Sequence, residues 1–248
     1  MTQQQFTMEE YYHILRADFC SFVEAAYEIV SPQDKLLMHQ HIELMCSKLQ
    51  DCAEGRIKRL IINIPPRHLK SICASVALPA FILGHNPAAN IICASYGQDL
   101  ADKLARDTRS VMTSPFYKHT FKTRISSEKN SVNEFVTTQK GGRVATSVGG
   151  VLTGRGADFI IIDDALKPED ALSETRRNSV NEWFDNTLLS RLNSKLNGCI
   201  IIIMQRLHMN DLVGHVVEKE KWEVLTFPAI AEEEEYQEFY NGFGLRYY

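Results

Sequence analysis

Along this chain, short apolar runs alternate with stretches where apolar residues recur every third or fourth position. Thr7 and Glu10 stand at capping-box spacing, and Leu15, Phe19, Phe22 and Ala26 follow at helical intervals. This predicts one helix, broken by "SPQD" at 31–34, and a second from about Leu36 to Ala53, ahead of Gly55. "RLIINI" (59–64), "NIICAS" (90–95), "DFIIIDD" (158–164) and "CIIIIM" (199–204) are short, continuously apolar and expected as buried strands. Between them the periodicity predicts helices over Lys70 to Leu83, closed by Gly84, over Gln98 to Met112, and over Ser173 to Leu192. "VNEFVTT" and "RVATSV" around "QKGG" read as a hairpin, and "WEVLTFPAI" as one more strand. Four apolar strands separated by helices predict an α/β fold whose mainly parallel sheet carries helices on both faces.

Composition narrows this picture. With 248 residues and 44% hydrophobic content, the chain suits one large α/β domain that buries roughly 70% or more of its unfolded surface. Five glutamates and one arginine fall in the stretch Ala231 to Tyr248, so the rest of the chain is balanced in charge. A balanced body argues against coating nucleic acid through bulk charge and leaves room for a local basic patch. The six cysteines include no CxxC pair and the eight histidines no HExxH spacing, which points to buried reduced thiols rather than a disulfide frame or zinc site. The amino terminus has no basic segment followed by an apolar one, and "CIIIIM" is far too short to span a bilayer. A soluble, intracellular protein with no membrane contact is expected.

The candidate chemistry sits where parallel sheets bind ligands, beyond the carboxyl ends of the strands. "PPRHLKS" follows the first apolar run and opens a helix, whose unpaired N–H groups and dipole favour phosphate. There Lys70 suits β- and γ-phosphate oxygens and the Ser71 hydroxyl suits Mg²⁺, although Lys-Ser is also an ordinary solvated helix start. Asp163-Asp164 end another apolar run in the manner of a Walker B strand; two acids capping a loop is the plainer alternative. "GGVLTGRGAD" presents Arg155 on a glycine-rich loop, either to phosphate, to a neighbouring subunit or simply to solvent. "IIIIMQRLH" places Gln205, Arg206 and His208 just after a buried strand.

Five segments, "IINIPPRHLKS", "TGRGADFIIIDD", "KPEDA", "EWFDNTLLSRL" and "MQRLH", together resemble the ATPase half of tailed-phage and prophage terminase large subunits, from about His39 to Ile230. The resemblance implies a P-loop NTPase-like fold using ATP and Mg²⁺ to drive double-stranded DNA into a procapsid in the host bacterial cytoplasm. It implies a portal protein and a small terminase subunit as partners, and self-association into a ring on the portal. Lys70 and Ser71 match the Walker A lysine and hydroxyl, with His68 and Leu69 in the same nucleotide-binding loop. Arg67 matches an arginine finger acting in cis. Asp163 matches the metal-associated aspartate, Asp164 the catalytic acid, and Gln205 the coupling motif. Gln40 and His41 resemble an adenine-side motif, and Arg155 is a candidate trans-acting arginine. Three departures stand out: Leu69 replaces a glycine, Asp164 is one methylene shorter than the usual glutamate, and no nuclease half is expected here. The expected division is a helical segment over 1–35, an ATPase domain over 36–230 and the acidic start of a linker over 231–248. A decayed fragment without activity, or another P-loop enzyme such as a helicase, are the alternatives.

Overall fold

A computed structural model describes residues 7–152, 154–230, 236–241 and 244–247. Its centre is an eight-stranded sheet in the order β3-β4-β5-β2-β6-β7-β1-β8. The strands are β1 (Arg59–Asn63), β2 (Asn90–Ser95), β3 (Ile125–Asn130), β4 (Glu134–Thr137), β5 (Gly142–Ser147), β6 (Phe159–Asp163), β7 (Cys199–Met204) and β8 (Glu223–Thr226). From β5 to β8 every pairing is parallel, and β3 and β4 join antiparallel at one edge. The last central strand, β7, lies between β1 and β6, in register Ile61↔Ile202 on one side and Ile160↔Ile200 on the other. All the carboxyl ends of β1, β7, β6 and β2 therefore point to one edge of the sheet.

Both faces of that sheet are covered, which explains why these runs are apolar without alternation. Leu60, Ile62, Ile201 and Ile203 face one core, while Ile61, Ile200, Ile202 and Met204 face the other. The first core receives α2 (Phe19–Val30), α3 (Gln40–Ala53), α4 (Leu78–His85), α5 (Gln98–Thr113) and α6 (Pro115–Thr120). The second receives α7 (Glu174–Trp183), the π-helical turn Phe184–Leu188 that continues it, and α8 (Leu212–Val217). The six cysteines are buried and unpaired. Among the described residues no helix is long and apolar enough to cross a membrane.

Several element boundaries differ from the pattern-based expectation. The capping box at Thr7 is present, but α1 (Met8–Ala17) ends where Asp18 begins α2, its carboxylate accepting from Ser21 N at 2.7 Å. The single predicted helix is thus two, because an aspartate cap outcompetes continuous periodicity. Helix α3 starts at Gln40 rather than Leu36. The helix opening at Lys70 runs through a π-helical turn, Ile72–Ala77, before α4. Of the acidic stretch, residues 231–235 lie outside the described residues, and Glu238–Asn241 pairs with Gly244–Tyr247 as a hairpin (β9 and β10).

Gly84 lies inside α4, not beyond its end. A Cβ there would fall 2.7 Å from the ring of Phe121, which is buried among Phe22, Phe81, His85 and Tyr117. Replacing a mid-helix glycine by alanine ordinarily adds about 1 kcal/mol of stability. Here the aromatic cluster must move, so Gly84→Ala is expected to destabilise by on the order of 1–2 kcal/mol. Urea unfolding of the two proteins checks this, and a higher midpoint for Gly84→Ala would contradict the close-packing role.

Candidate functional site

The loop between β1 and the π-helical turn is built on two prolines and two residues in the left-handed region. Arg67 has φ 67° and Leu69 has φ 62°. For L-residues such a conformation costs roughly 1–2 kcal/mol each, and strain of this kind concentrates where a chain must present groups in fixed directions. The glycine expected at position 69 is replaced by a leucine whose side chain packs against the first core, which holds the strained conformation in place. His68 is exposed, with Nδ1 2.9 Å from the Pro66 carbonyl. The helix then opens at Lys70, so its first N–H groups have no intrahelical acceptor and face the loop.

Lys70 is buried and its Nζ lies 2.6 Å from Asp164 Oδ1. Asp164 sits just past β6 with φ 49°, and its backbone is tied to both neighbours: its N–H donates to Ile203 O and its carbonyl accepts from Tyr96 N. The Gln205 backbone N–H also points to Asp164 Oδ1, at 3.4 Å. Lysine, carboxylate and the end of β7 thus converge on one oxygen.

Asp163, the last residue of β6, is 1% exposed. Its Oδ2 accepts from Ser75 Oγ at 2.8 Å, while Oδ1 is buried without a hydrogen-bond partner. Burial, followed by the neighbouring Asp164 charge, pushes Asp163 up to about 6. The hydroxyls of Ser75 and Ser71 and the Lys70 ammonium pull the other way. An orphaned carboxylate oxygen beside a serine hydroxyl suits Mg²⁺, which takes few protein oxygens and completes its shell with water and phosphate. The all-oxygen donor set fits that ion and not a thiolate- or imidazole-bound metal; among the described residues no cluster of three or more His, Cys, Asp or Glu is arranged for one.

A cleft of about 890 Å³ adjoins the loop, lined by Arg67, His68 and Leu69 on one side and by Tyr27, His39, Gln40, His41 and Phe227 among others on the rest. The His41 ring meets His68 with centroids 5.5 Å apart and Phe227 at 6.1 Å. Burial, then the nearby His68 and His39, lowers the His41 pKa and favours a neutral imidazole able to offer its face to a base. Gln40 is exposed at the rim. His39 and Phe227 were not singled out from the sequence; Phe227 follows β8, and its N–H donates to the carbonyl of Asn63 at the end of β1.

Two arginines are not brought to Lys70. Arg155 pairs with Glu134 at 2.5 Å, by a hollow of about 420 Å³ lined by the first residues of β2 and β5. Because Ser95 pairs with Asp163 at the far end of the same strands, Arg155 stands near the opposite edge of the sheet. Arg206 is held by Asp211, Nε to Oδ2 at 3.0 Å, and by the carbonyls of His208 and Met209. Ser75, which donates to Asp163, was not singled out from the sequence, although it stands four residues after Ser71.

No family model matches the sequence, and no curated protein matches it. Among solved structures, the chain is similar to the crystal structure of the HK97 bacteriophage large terminase, with TM-score 0.51 and 14% identity over 87% of this chain and 45% of that one. It is also similar to the Thermus phage P74-26 large terminase ATPase domain, with TM-score 0.42 and 17% identity over 72% of this chain and 67% of that one. The first likeness shows a shared fold, and this chain spans less than half the length of the HK97 protein.

Asp163 makes the site a stability liability. Its pKa is higher folded than the ordinary 3.8, so the folded state holds the proton more tightly. Stability therefore falls as pH rises from about 3.8 to about 6 and stays reduced above that. Asp163→Asn, which keeps an acceptor for Ser75, is expected to stabilise the ligand-free protein at pH 7.5 by on the order of 1–3 kcal/mol. The gain should shrink as pH approaches 4. Thermal unfolding at both pH values checks it, and a gain of equal size at the two would exclude the ionised carboxylate as its source.

Proposed function

We propose that this chain is a Mg²⁺-dependent ATPase, the motor part of a terminase large subunit that drives double-stranded DNA into a procapsid. The observation that carries the reading is the meeting of Lys70, Asp163 and Asp164 at the carboxyl ends of β1 and β6, beside a phosphate-loop-like turn. The partners the reading carries are DNA, a portal protein, a small terminase subunit and further copies of the chain in a ring. The fold shared with a phage large terminase supports it.

Lys70 is neutralised by Asp164. A γ-phosphate entering the loop competes for the Lys70 ammonium and releases Asp164. The carboxylate becomes free to orient the attacking water only once substrate is in place. Ser71 and Asp163 would hold Mg²⁺, which would supply neutralisation of the phosphate charge. Gln205, whose backbone already touches Asp164, takes the place from which phosphate loss is sensed. The aromatic cleft formed by His41, His68 and Phe227 takes the adenine, with Gln40 at its rim. Arg67, pre-set by Pro65 and Pro66, borders that cleft and is the cis arginine; Arg155, already paired with Glu134, serves a neighbouring subunit.

A second reading has support in particular residues. The strained Leu69 and the short Asp164 favour a chain that binds nucleotide without turning it over.

Calorimetry should show Mg²⁺-ATP binding that is lost in Lys70→Ala; equal affinity in the two proteins would remove the phosphate-loop assignment. Single-turnover hydrolysis by the monomer separates the readings further. A well-placed arginine is worth roughly 10³–10⁵ in rate, so Arg67→Ala should nearly abolish turnover while Arg155→Ala leaves the monomer unchanged. Slowing by Arg155→Ala alone would reverse the cis assignment, and binding without turnover in the unaltered chain would favour the second reading.

A further inference from the structure

Behind Asp163 the core holds a charge that the mechanism above leaves unused. Arg143, on β5, is 1% exposed. Its Nη2 donates to the Ser75 carbonyl at 3.2 Å, while Nε and Nη1 have no hydrogen-bond partner. A guanidinium keeps its proton under all ordinary conditions, and a buried ion without a carboxylate partner costs several kcal/mol. An apolar side chain of similar volume would fill this place more cheaply if packing were the only demand.

Ser75 lies in the π-helical turn, and its carbonyl accepts from two side chains, Arg143 Nη2 and Thr108 Oγ1, each at 3.2 Å. The same residue donates its hydroxyl to Asp163 Oδ2 at 2.8 Å. Cys93 lies within reach of both charges: burial raises its thiol, Arg143 lowers it and Asp163 raises it. Guanidinium and carboxylate are thus joined through one serine.

We propose that Ser75 and Arg143 are positioning residues for Asp163, pinning Oδ2 so that Oδ1 is the oxygen presented to Mg²⁺. The inference rests on the reading that Asp163 and Ser71 hold that ion. Arg143 anchors Ser75 through its carbonyl. Ser75 then fixes the carboxylate rotamer. Without that hydroxyl, either oxygen can turn toward the metal and the unused one is left buried and unsatisfied.

The test measures ADP affinity by calorimetry across a Mg²⁺ titration and in EDTA, with thermal unfolding to confirm folded samples. Ser75→Ala should bind ADP in EDTA as the wild type does, and should need about 10-fold more Mg²⁺ to reach half of the metal-linked gain. Arg143→Met should shift the same titration in the same direction, and Arg143→Lys, which keeps the charge, should shift it less. Ser75→Cys, close in size to serine, carries the test if the alanine variant does not fold. A wild type with no metal-linked gain would overturn the proposed function and this inference with it. A metal-linked gain that is unchanged in Ser75→Ala would overturn this inference alone. So would an equal loss of affinity with and without Mg²⁺, the mark of a merely structural serine.

Discussion

Lys70 and Asp164 come from segments 94 residues apart, yet they meet at 2.6 Å with the lysine side chain 6% exposed and the carboxylate 22% exposed. The strands that deliver them are not neighbours, because β7 stands between β1 and β6. The pair can close only if three parallel strands end at one level and both backbones turn sharply there. The left-handed conformations of Leu69 and Asp164 accomplish that turning. Removing one partner of such a shielded pair leaves an uncompensated charge, typically worth 3–5 kcal/mol. Sheet order, loop strain and strand register are all constrained by this single contact.

Asp163 is the complement to that neutral pair. It is more deeply buried than Asp164, and its one serine hydrogen bond leaves the other oxygen without a partner. Two adjacent carboxylates therefore have opposite environments. One is satisfied within the chain, and the other is held ready at a cost in stability. That asymmetry follows from the strand end: Asp163 is still in β6, while Asp164 lies just beyond it in a left-handed conformation that turns it to Lys70.

The central strands were legible because continuous apolar runs bounded by prolines, glycines and acids have few other ways to be buried. β2 and β7 run over the residues that the pattern predicts, and β1 departs by a single residue at its end. Legibility failed where a neighbour distant in sequence decides the outcome. Gly84 read as a helix stop, but the ring of Phe121, contributed from beyond α5, is what requires it. β3 was not foreseen, since "ISSEKN" has little apolar character and is a strand through its pairing with β4. Within the site, Lys70 and Asp163-Asp164 announced themselves by residue type at strand ends. Arg143 did not, because its partner lies 68 residues away and nothing in "GGRVATS" marks an arginine as buried.

The turn after β7 is knotted around one buried side chain. Asp211, 1% exposed, accepts from Arg206 Nε and the Leu207 N–H on one oxygen and caps α8 through the Gly214 N–H on the other, at 3.0, 3.2 and 3.1 Å. Gln205 is joined directly to this knot. The segment after β7 and the first turn of α8 are therefore held to one carboxylate, and loss of Asp211 would release both at once.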